Sequence, residues 1–137
     1  MDYSMYPRND ILCIDMRSFY ASAEAVRLGY DPMTVMLAVV GDPNRSGSII
    51  LAASPTLKEK YGISNVSRFF DLPKDPDIII VPARMADYLH TSVEIIKFLN
   101  QYVPKEAIHP YSIDETWITV NGDYSQPNVP ALPLFLP

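Results

Sequence analysis

Short apolar runs alternate along the chain with longer stretches in which apolar residues recur at helical spacing. The first run, at 11–14, has the continuous hydrophobicity of a strand that is buried on both faces. Further strands are predicted at 35–40, 48–53 and 78–81, with a hairpin-like pair at 111–113 and 116–120. Helices are predicted at 18–28, 55–61 and 84–103, which end at Gly29, Gly62 and Pro104. This alternation indicates an α/β chain.

Acidic residues stand at the ends of two of these predicted strands. Asp15 follows the first strand, and Asp114 and Glu115 form the tip of the hairpin. Neighbouring side chains on a strand point to opposite faces, so Asp114 and Glu115 can reach one metal only at a strand end or a turn. Two such strand ends side by side would form a hard oxygen site for Mg²⁺, suited to phosphoryl transfer. Taken singly, each residue has a more ordinary interpretation as a helix cap or a turn residue.

The charge of the chain is unevenly distributed. The net charge of −5 has the wrong sign for a free-standing nucleic-acid binder. Between residues 45 and 68, however, four basic residues face a single acidic one: Arg45, Lys58, Lys60 and Arg68 against Glu59. This segment could contact triphosphate oxygens, or it could be a solvated basic helix face.

Other compositional features bear on location. The single cysteine, Cys13, lies in an apolar run and is predicted to be a buried core residue. A lone thiol indicates a reducing, cytoplasmic location, and neither a membrane-spanning segment nor a signal peptide is recognisable in the sequence.

Three segments together carry a family resemblance. Residues 15–24 contain an Asp followed by two aromatics and Ala-Ser-x-Glu, and residues 112–115 read Ser-Ile-Asp-Glu. Residues 51–63 supply a third pattern, a helix that begins at Pro55, is capped by Ser54 and ends at Gly62. In this order and spacing the chain resembles the Y-family (lesion-bypass, DinB/UmuC-like) DNA polymerases, especially their Gram-positive UmuC-like branch.

The resemblance implies an α/β (α+β) fold in which an incomplete ferredoxin-like palm carries a small inserted α/β fingers domain. Residues 1–20 and 78–137 would form the partial palm, with a divergent Pro-rich tail at 121–137, and residues 21–77 the fingers. The implied activity is that of a DNA-directed DNA polymerase. It would transfer a nucleotide from a dNTP to a primer 3′-hydroxyl with Mg²⁺, during damage bypass and the SOS response.

The resemblance also implies roles for individual residues. Two Mg²⁺ ions would be held by the carboxylates of Asp15, Asp114 and Glu115 and by the carbonyl of Met16. Tyr20 would be the steric gate that rejects a ribose 2′-hydroxyl. Further nucleotide contacts are predicted for Phe19, Ser54, Lys58 and Lys60. The family more commonly has Tyr and Arg on this last helix, so which lysine replaces the arginine stays open.

The expected partners are a dNTP and, in a full-length protein only, primer–template DNA. A sliding clamp would bind through a C-terminal region that this chain lacks, and no membrane is involved. We expect the chain to be truncated and inactive alone. Two alternatives are a non-catalytic remnant and a Mg²⁺-dependent nucleotide-binding module, because fold alone does not decide function. Tyr20 separates the last of these from a polymerase, since a ribonucleotide-using module needs no 2′-hydroxyl gate.

Overall fold

The computed structural model describes residue 4 and residues 10–64 and 67–120. Within these residues it contains three α-helices and two three-stranded sheets, which confirms the predicted mixed α/β class. The strands are β1 (Ile11–Asp15), β2 (Leu37–Val40), β3 (Ile50–Ala53), β4 (Ile79–Pro82), β5 (Ile108–Pro110) and β6 (Glu115–Thr119). The helices are α1 (Phe19–Leu28), α2 (Pro55–Tyr61) and α3 (Met85–Leu99), with short 3-10 turns at Phe69–Asp71 and Lys105–Ala107. None of the described helices is long and apolar enough to cross a membrane.

The chain divides into two compact units, one of residues 16–89 and the other of 1–15 with 90–137. These boundaries fall after Asp15 and Leu89, whereas the sequence placed them after residues 20 and 77. The assignment of the units to palm and fingers stays a prediction. The predicted Pro-rich tail at 121–137 lies outside the described residues.

In the unit of residues 16–89, the sheet has the order β3-β2-β4. Strand β2 is antiparallel to β3 and parallel to β4, and all four of its residues are buried. This central position explains its wholly apolar sequence, because a strand covered on both faces has no polar side. Apolar side chains of α2 and of the surrounding loops complete the core, which contains Ala38, Val40, Ile50, Ala53, Leu57, Ile63 and Ile78.

In the other unit, the sheet has the order β1-β6-β5 and is antiparallel throughout. Side chains alternate between its faces. One face contributes Ile108 and Ile118 to a core that they share with Leu99 and Val103. The prediction that 11–14 is buried on both faces is wrong, because residues 11–13 are exposed in β1, which lies at the sheet edge and pairs with β6 alone among the described strands. The predicted burial of Cys13 is also wrong, since Cys13 is exposed and lies opposite the partly exposed Trp117 on one face of the sheet.

The hairpin also differs in register from its prediction. Residues 111–114 form the connection between β5 and β6, whereas the sequence placed residues 111–113 on a strand. The Ser112 hydroxyl accepts hydrogen bonds from the backbone amides of Asp114 and Glu115, at 3.3 and 3.1 Å. Such side-chain bonds to the local backbone compete with strand pairing and favour a turn.

Candidate functional site

Two of the predicted metal ligands face each other across the β1–β6 ladder. Asp15 is the last residue of β1, Glu115 is the first residue of β6, and the two are register partners. Side chains directly opposite each other on antiparallel strands lie on the same face, with Cβ atoms about 5 Å apart. The structure therefore brings Asp15 and Glu115 together at the strand ends.

The third predicted ligand, Asp114, lies in the turn that precedes β6. The Ser112 hydroxyl donates a hydrogen bond of 2.7 Å to Asp114 Oδ1, while the same hydroxyl accepts from two backbone amides of the turn. The backbone amides of Tyr111 and Ser112 both donate to the Glu115 carbonyl, at 2.9 and 3.1 Å. Ser112 thus fixes both the turn and one oxygen of Asp114.

One oxygen of Glu115 is already engaged by neighbours on its own face of the sheet. Trp117 Nε1 donates to Glu115 Oε1 at 2.8 Å, and the Cys13 thiol lies 3.5 Å from the same oxygen. Local desolvation, the hydrogen bond to Glu115 and the negative charges of Glu115 and Asp15 raise the pKa of the Cys13 thiol. The thiol therefore stays protonated and is a hydrogen-bond donor at this acidic edge.

The donor set suits a hard divalent cation. Asp15, Asp114 and Glu115 offer carboxylate oxygens, which Mg²⁺ prefers, and none forms an ion pair with a basic side chain of the described residues. Within those same residues, no group of three or more His, Cys, Asp or Glu side chains lies together at metal-binding spacing. Of the three predicted carboxylate ligands, the structure therefore places Asp15 and Glu115 side by side. The roles of these residues and of the Met16 carbonyl stay predictions.

In the unit of residues 16–89, the predicted gate Tyr20 packs against another tyrosine. Its ring is stacked on that of Tyr88, with ring centres 4.5 Å apart and planes inclined by 14°. The ring centre of Phe19 lies 5.8 Å from that of Tyr20, and Phe19 is only 6% exposed. Phe19 therefore belongs to the core beneath α1, while Tyr20 is half-buried.

The network of side chains beside Tyr20 was not predicted from the sequence. Glu24 is fully buried and accepts hydrogen bonds from Arg84 Nε and Nη2 at 2.9 and 3.0 Å, from Arg27 Nε at 3.0 Å and from the Tyr88 hydroxyl at 3.0 Å. Burial alone would raise the pKa of Glu24, but the hydrogen bonds from Arg84, Arg27 and Tyr88 hold it below its ordinary value. Burial, together with the bond to Glu24, raises the pKa of Tyr88 to about 12. An indication of this network is present in the sequence, because Tyr20 and Glu24 are four residues apart, as are Arg84 and Tyr88. Residues at this spacing lie on the same side of a helix.

The predicted phosphate ligands Ser54, Lys58 and Lys60 differ in whether their polar groups already have partners among the described residues. Ser54 precedes α2, but its buried hydroxyl accepts from the Leu37 amide at 2.9 Å and donates to the Val35 carbonyl at 2.7 Å, so it does not cap the helix. Its predicted phosphate contact gains no support from this arrangement. Lys60 Nζ lies 3.3 Å from Asp75 Oδ2, whereas Lys58 has no ion-pair partner among the described carboxylates. Of the two lysines, Lys58 is therefore the one whose ammonium group is available.

Comparison with known structures first defines the class of fold. A solved chain described as "Y-family DNA polymerase chimera Dbh-Dpo4(243-245)-Dbh" matches with a TM-score of 0.67 and 22% identity, over 79% of this chain and 31% of that chain. This likeness shows that the fold is that of the palm and fingers region of such polymerases.

Sequence comparison then defines the family. Residues 14–130 match the impB/mucB/samB family, and the chain belongs to it. The DNA repair protein homolog YozK of Bacillus subtilis (strain 168) is 51% identical over 113 residues, which cover 82% of this chain and 98% of YozK. UvrX of the same organism is 50% identical over 86% of this chain, and DNA polymerase IV 2 is 37% identical over 82%. The chain spans only 28% and 26% of the lengths of these two proteins.

Proposed function

We propose that this chain is the palm–fingers segment of a Y-family translesion DNA polymerase, which transfers nucleotides from a dNTP to a primer 3′-hydroxyl with Mg²⁺. The observation that carries the proposal is the pairing of Asp15 with Glu115 at two strand ends, in a chain whose relatives include DNA polymerase IV. Family membership supplies the reaction class, and the paired carboxylates supply the chemistry that this reaction needs.

Asp15, Asp114 and Glu115 would hold the metal ions, with the Met16 carbonyl as a further ligand. Two bound Mg²⁺ ions would supply Lewis acidity toward the 3′-hydroxyl and the leaving pyrophosphate. The contribution of the chain is to orient the oxygens. Ser112 fixes one oxygen of Asp114, and the Trp117 indole fixes one oxygen of Glu115, which leaves Glu115 Oε2 for coordination.

The other unit would hold the nucleotide. The ring of Tyr20 would lie against the sugar and exclude a 2′-hydroxyl, with Phe19 as the buried support behind it. Lys58 would bind the triphosphate, since its ammonium group has no carboxylate partner among the described residues, while Lys60 is paired with Asp75. A charge-assisted hydrogen bond contributes about 1.5–3 kcal/mol, which corresponds to roughly tenfold or more in affinity.

A second candidate function is nucleotide binding without primer extension. The relative YozK favours it, because it is described as a DNA repair protein homolog and not as a polymerase. The net charge of −5 also favours it, since an acidic chain repels duplex DNA. Both candidates share the metal and nucleotide contacts and differ in whether DNA is used.

The shared contacts can be tested by equilibrium binding of a dNTP to the 137-residue chain, with Mg²⁺ and with EDTA. We expect Mg²⁺-dependent binding that Asp15→Asn and Asp114→Asn abolish without loss of folding. Lys58→Gln should weaken binding roughly tenfold or more. Lys60→Gln is the matched control on the same helix and should have a smaller effect. Binding that is unchanged by EDTA and by Asp15→Asn would contradict the proposal.

A further inference from the structure

Tyr20 stacks on Tyr88, whose hydroxyl is hydrogen-bonded to the buried Glu24. We propose that Glu24, Arg84 and Tyr88 fix the plane of the Tyr20 ring and thereby set how strongly the nucleotide site prefers deoxyribose over ribose. This inference rests on the proposed role of Tyr20 at the sugar and adds the residues that act through it.

The geometry consists of two i, i+4 pairs that face each other. Tyr20 and Glu24 are one turn apart on α1, whereas Arg84 immediately precedes α3 and its carbonyl accepts from the Tyr88 amide at 3.2 Å, so each i, i+4 pair lies on one side of its helix. Arg84 binds Glu24 through two hydrogen bonds while Tyr88 stacks on Tyr20. The Tyr88 hydroxyl donates a hydrogen bond of 3.0 Å to Glu24, which gives the two pairs a further contact.

These contacts leave Tyr88 little freedom. The residue is 1% exposed, and its hydroxyl donates a hydrogen bond to a carboxylate that is itself bonded to two arginines. Among the described residues, Tyr20 is held by ring contacts with Phe19 and Tyr88. Tyr88 therefore fixes the orientation of the Tyr20 ring, and the Glu24–Arg84 pair in turn fixes the orientation of Tyr88.

A role in stability alone explains this arrangement poorly. Buried ion pairs contribute little net stability compared with well-packed apolar side chains, because their desolvation cost offsets their attraction. The buried neighbours of Glu24 on α1 include Ala21 and Ala25, so this helix face is otherwise apolar. A charged, hydrogen-bonded group at such a position defines one geometry, which is what a selective sugar contact requires. The lowered pKa of Glu24 and the pKa of about 12 for Tyr88 keep one protonation state across neutral pH.

The test measures sugar selectivity, which a merely structural role would not change. The ratio of the dissociation constants of a ribonucleoside and a deoxyribonucleoside triphosphate is determined with Mg²⁺ for the 137-residue chain. We expect Tyr20→Ala to bring the ratio close to one. Tyr88→Leu, which removes the stacked ring, should lower it roughly three- to tenfold, as expected for the loss of an aromatic pair. Tyr88→Phe keeps the stacked ring but removes its hydrogen bond to Glu24, so it should lower the ratio in the same direction by a smaller factor.

Glu24→Gln preserves side-chain shape and should lower the ratio in the same direction as Tyr88→Leu. Ile50→Val, in the core around β3, is the control for general destabilisation and should leave the ratio unchanged. Equal affinity of the unmutated chain for both sugars would overturn the proposed role of Tyr20 and this inference with it. Selectivity that Tyr20→Ala abolishes, but that folded Tyr88→Leu and Glu24→Gln retain in full, would overturn the positioning inference alone.

Discussion

Replacing Glu24 by glutamine tests the buried network in its simplest form. The glutamine keeps the shape of the side chain but exchanges one acceptor oxygen for an amide donor that faces guanidinium groups. Three of the four hydrogen bonds to Glu24 come from Arg27 and Arg84, so the substitution leaves these cations without their carboxylate. We expect a clear loss of stability.

The magnitude follows from burial. Removing one partner of a buried ion pair costs about 3–5 kcal/mol. The side chains of Arg27 and Arg84 are 45% and 34% exposed and can regain some hydration, so Glu24→Gln should lie near the lower end, at about 3 kcal/mol. Because a domain is stable by only about 5–15 kcal/mol, this is a large fraction of the total.

The assay is urea unfolding followed by far-ultraviolet circular dichroism, repeated as the pH is lowered. The folded-state pKa of Glu24 lies below its ordinary value, so the carboxylate stabilises the fold above the unfolded-state pKa. That contribution is lost as the pH falls through the folded-state pKa. The difference between the unmutated chain and Glu24→Gln should therefore be largest near neutral pH and shrink below about pH 4.

The matched control is Glu94→Gln, which removes an exposed carboxylate paired with Lys97 at i, i+3. Exposed pairs of this kind contribute little, so its unfolding midpoint should hardly change. Unfolding of Glu24→Gln at the same urea concentration as the unmutated chain would contradict this expectation. A stability difference that stays constant from neutral to acidic pH would also refute it, because the loss would then arise from packing rather than charge.

Two further predictions concern the acidic edge and the DNA. Glu115→Gln removes the charge that helps to raise the pKa of Cys13, so alkylation of this exposed thiol at fixed, mildly alkaline pH should become faster; an unchanged rate would mean that Glu115 does not influence the thiol. The 137-residue chain should not extend a primer, because its net charge of −5 opposes duplex binding and the basic segment is assigned to the triphosphate. Extension that Asp114→Ala abolishes would contradict this second prediction.

The parts of the fold that were predictable from the sequence are those governed by local patterns. The apolar runs located β2, β3 and β4, and β2 is apolar throughout because it is the central strand and is buried on both faces. Glycines marked the ends of two helices, and Gly29 indeed adopts a positive φ of 81° at the end of α1. The carboxylates at 15 and 115 were placed correctly at strand ends, because their position depends on where strands stop.

The errors concern features that depend on distant partners. Whether the run at 11–14 is buried depends on what covers β1, and no local pattern shows that this strand lies at a sheet edge. An isolated glutamate on a helix resembles a solvated residue, whereas Glu24 is buried with hydrogen bonds from Arg84 and Tyr88, 60 and 64 positions away, and from Arg27. The hydroxyl of Ser54 resembled a helix cap, yet its partners lie 17 and 19 positions earlier in the chain.

The hydrogen bond from Trp117 to Glu115 gives the acidic edge an intrinsic optical probe. Trp117 is the single tryptophan of the chain and is 40% exposed, and its indole N–H donates a hydrogen bond to one of the paired carboxylates. Indole emission responds to the charge and hydrogen bonding of its immediate surroundings. A cation that binds Glu115, or a proton that neutralises it, should therefore change the fluorescence emission of Trp117. Occupancy of this edge can be followed by fluorescence, without a label and without turnover.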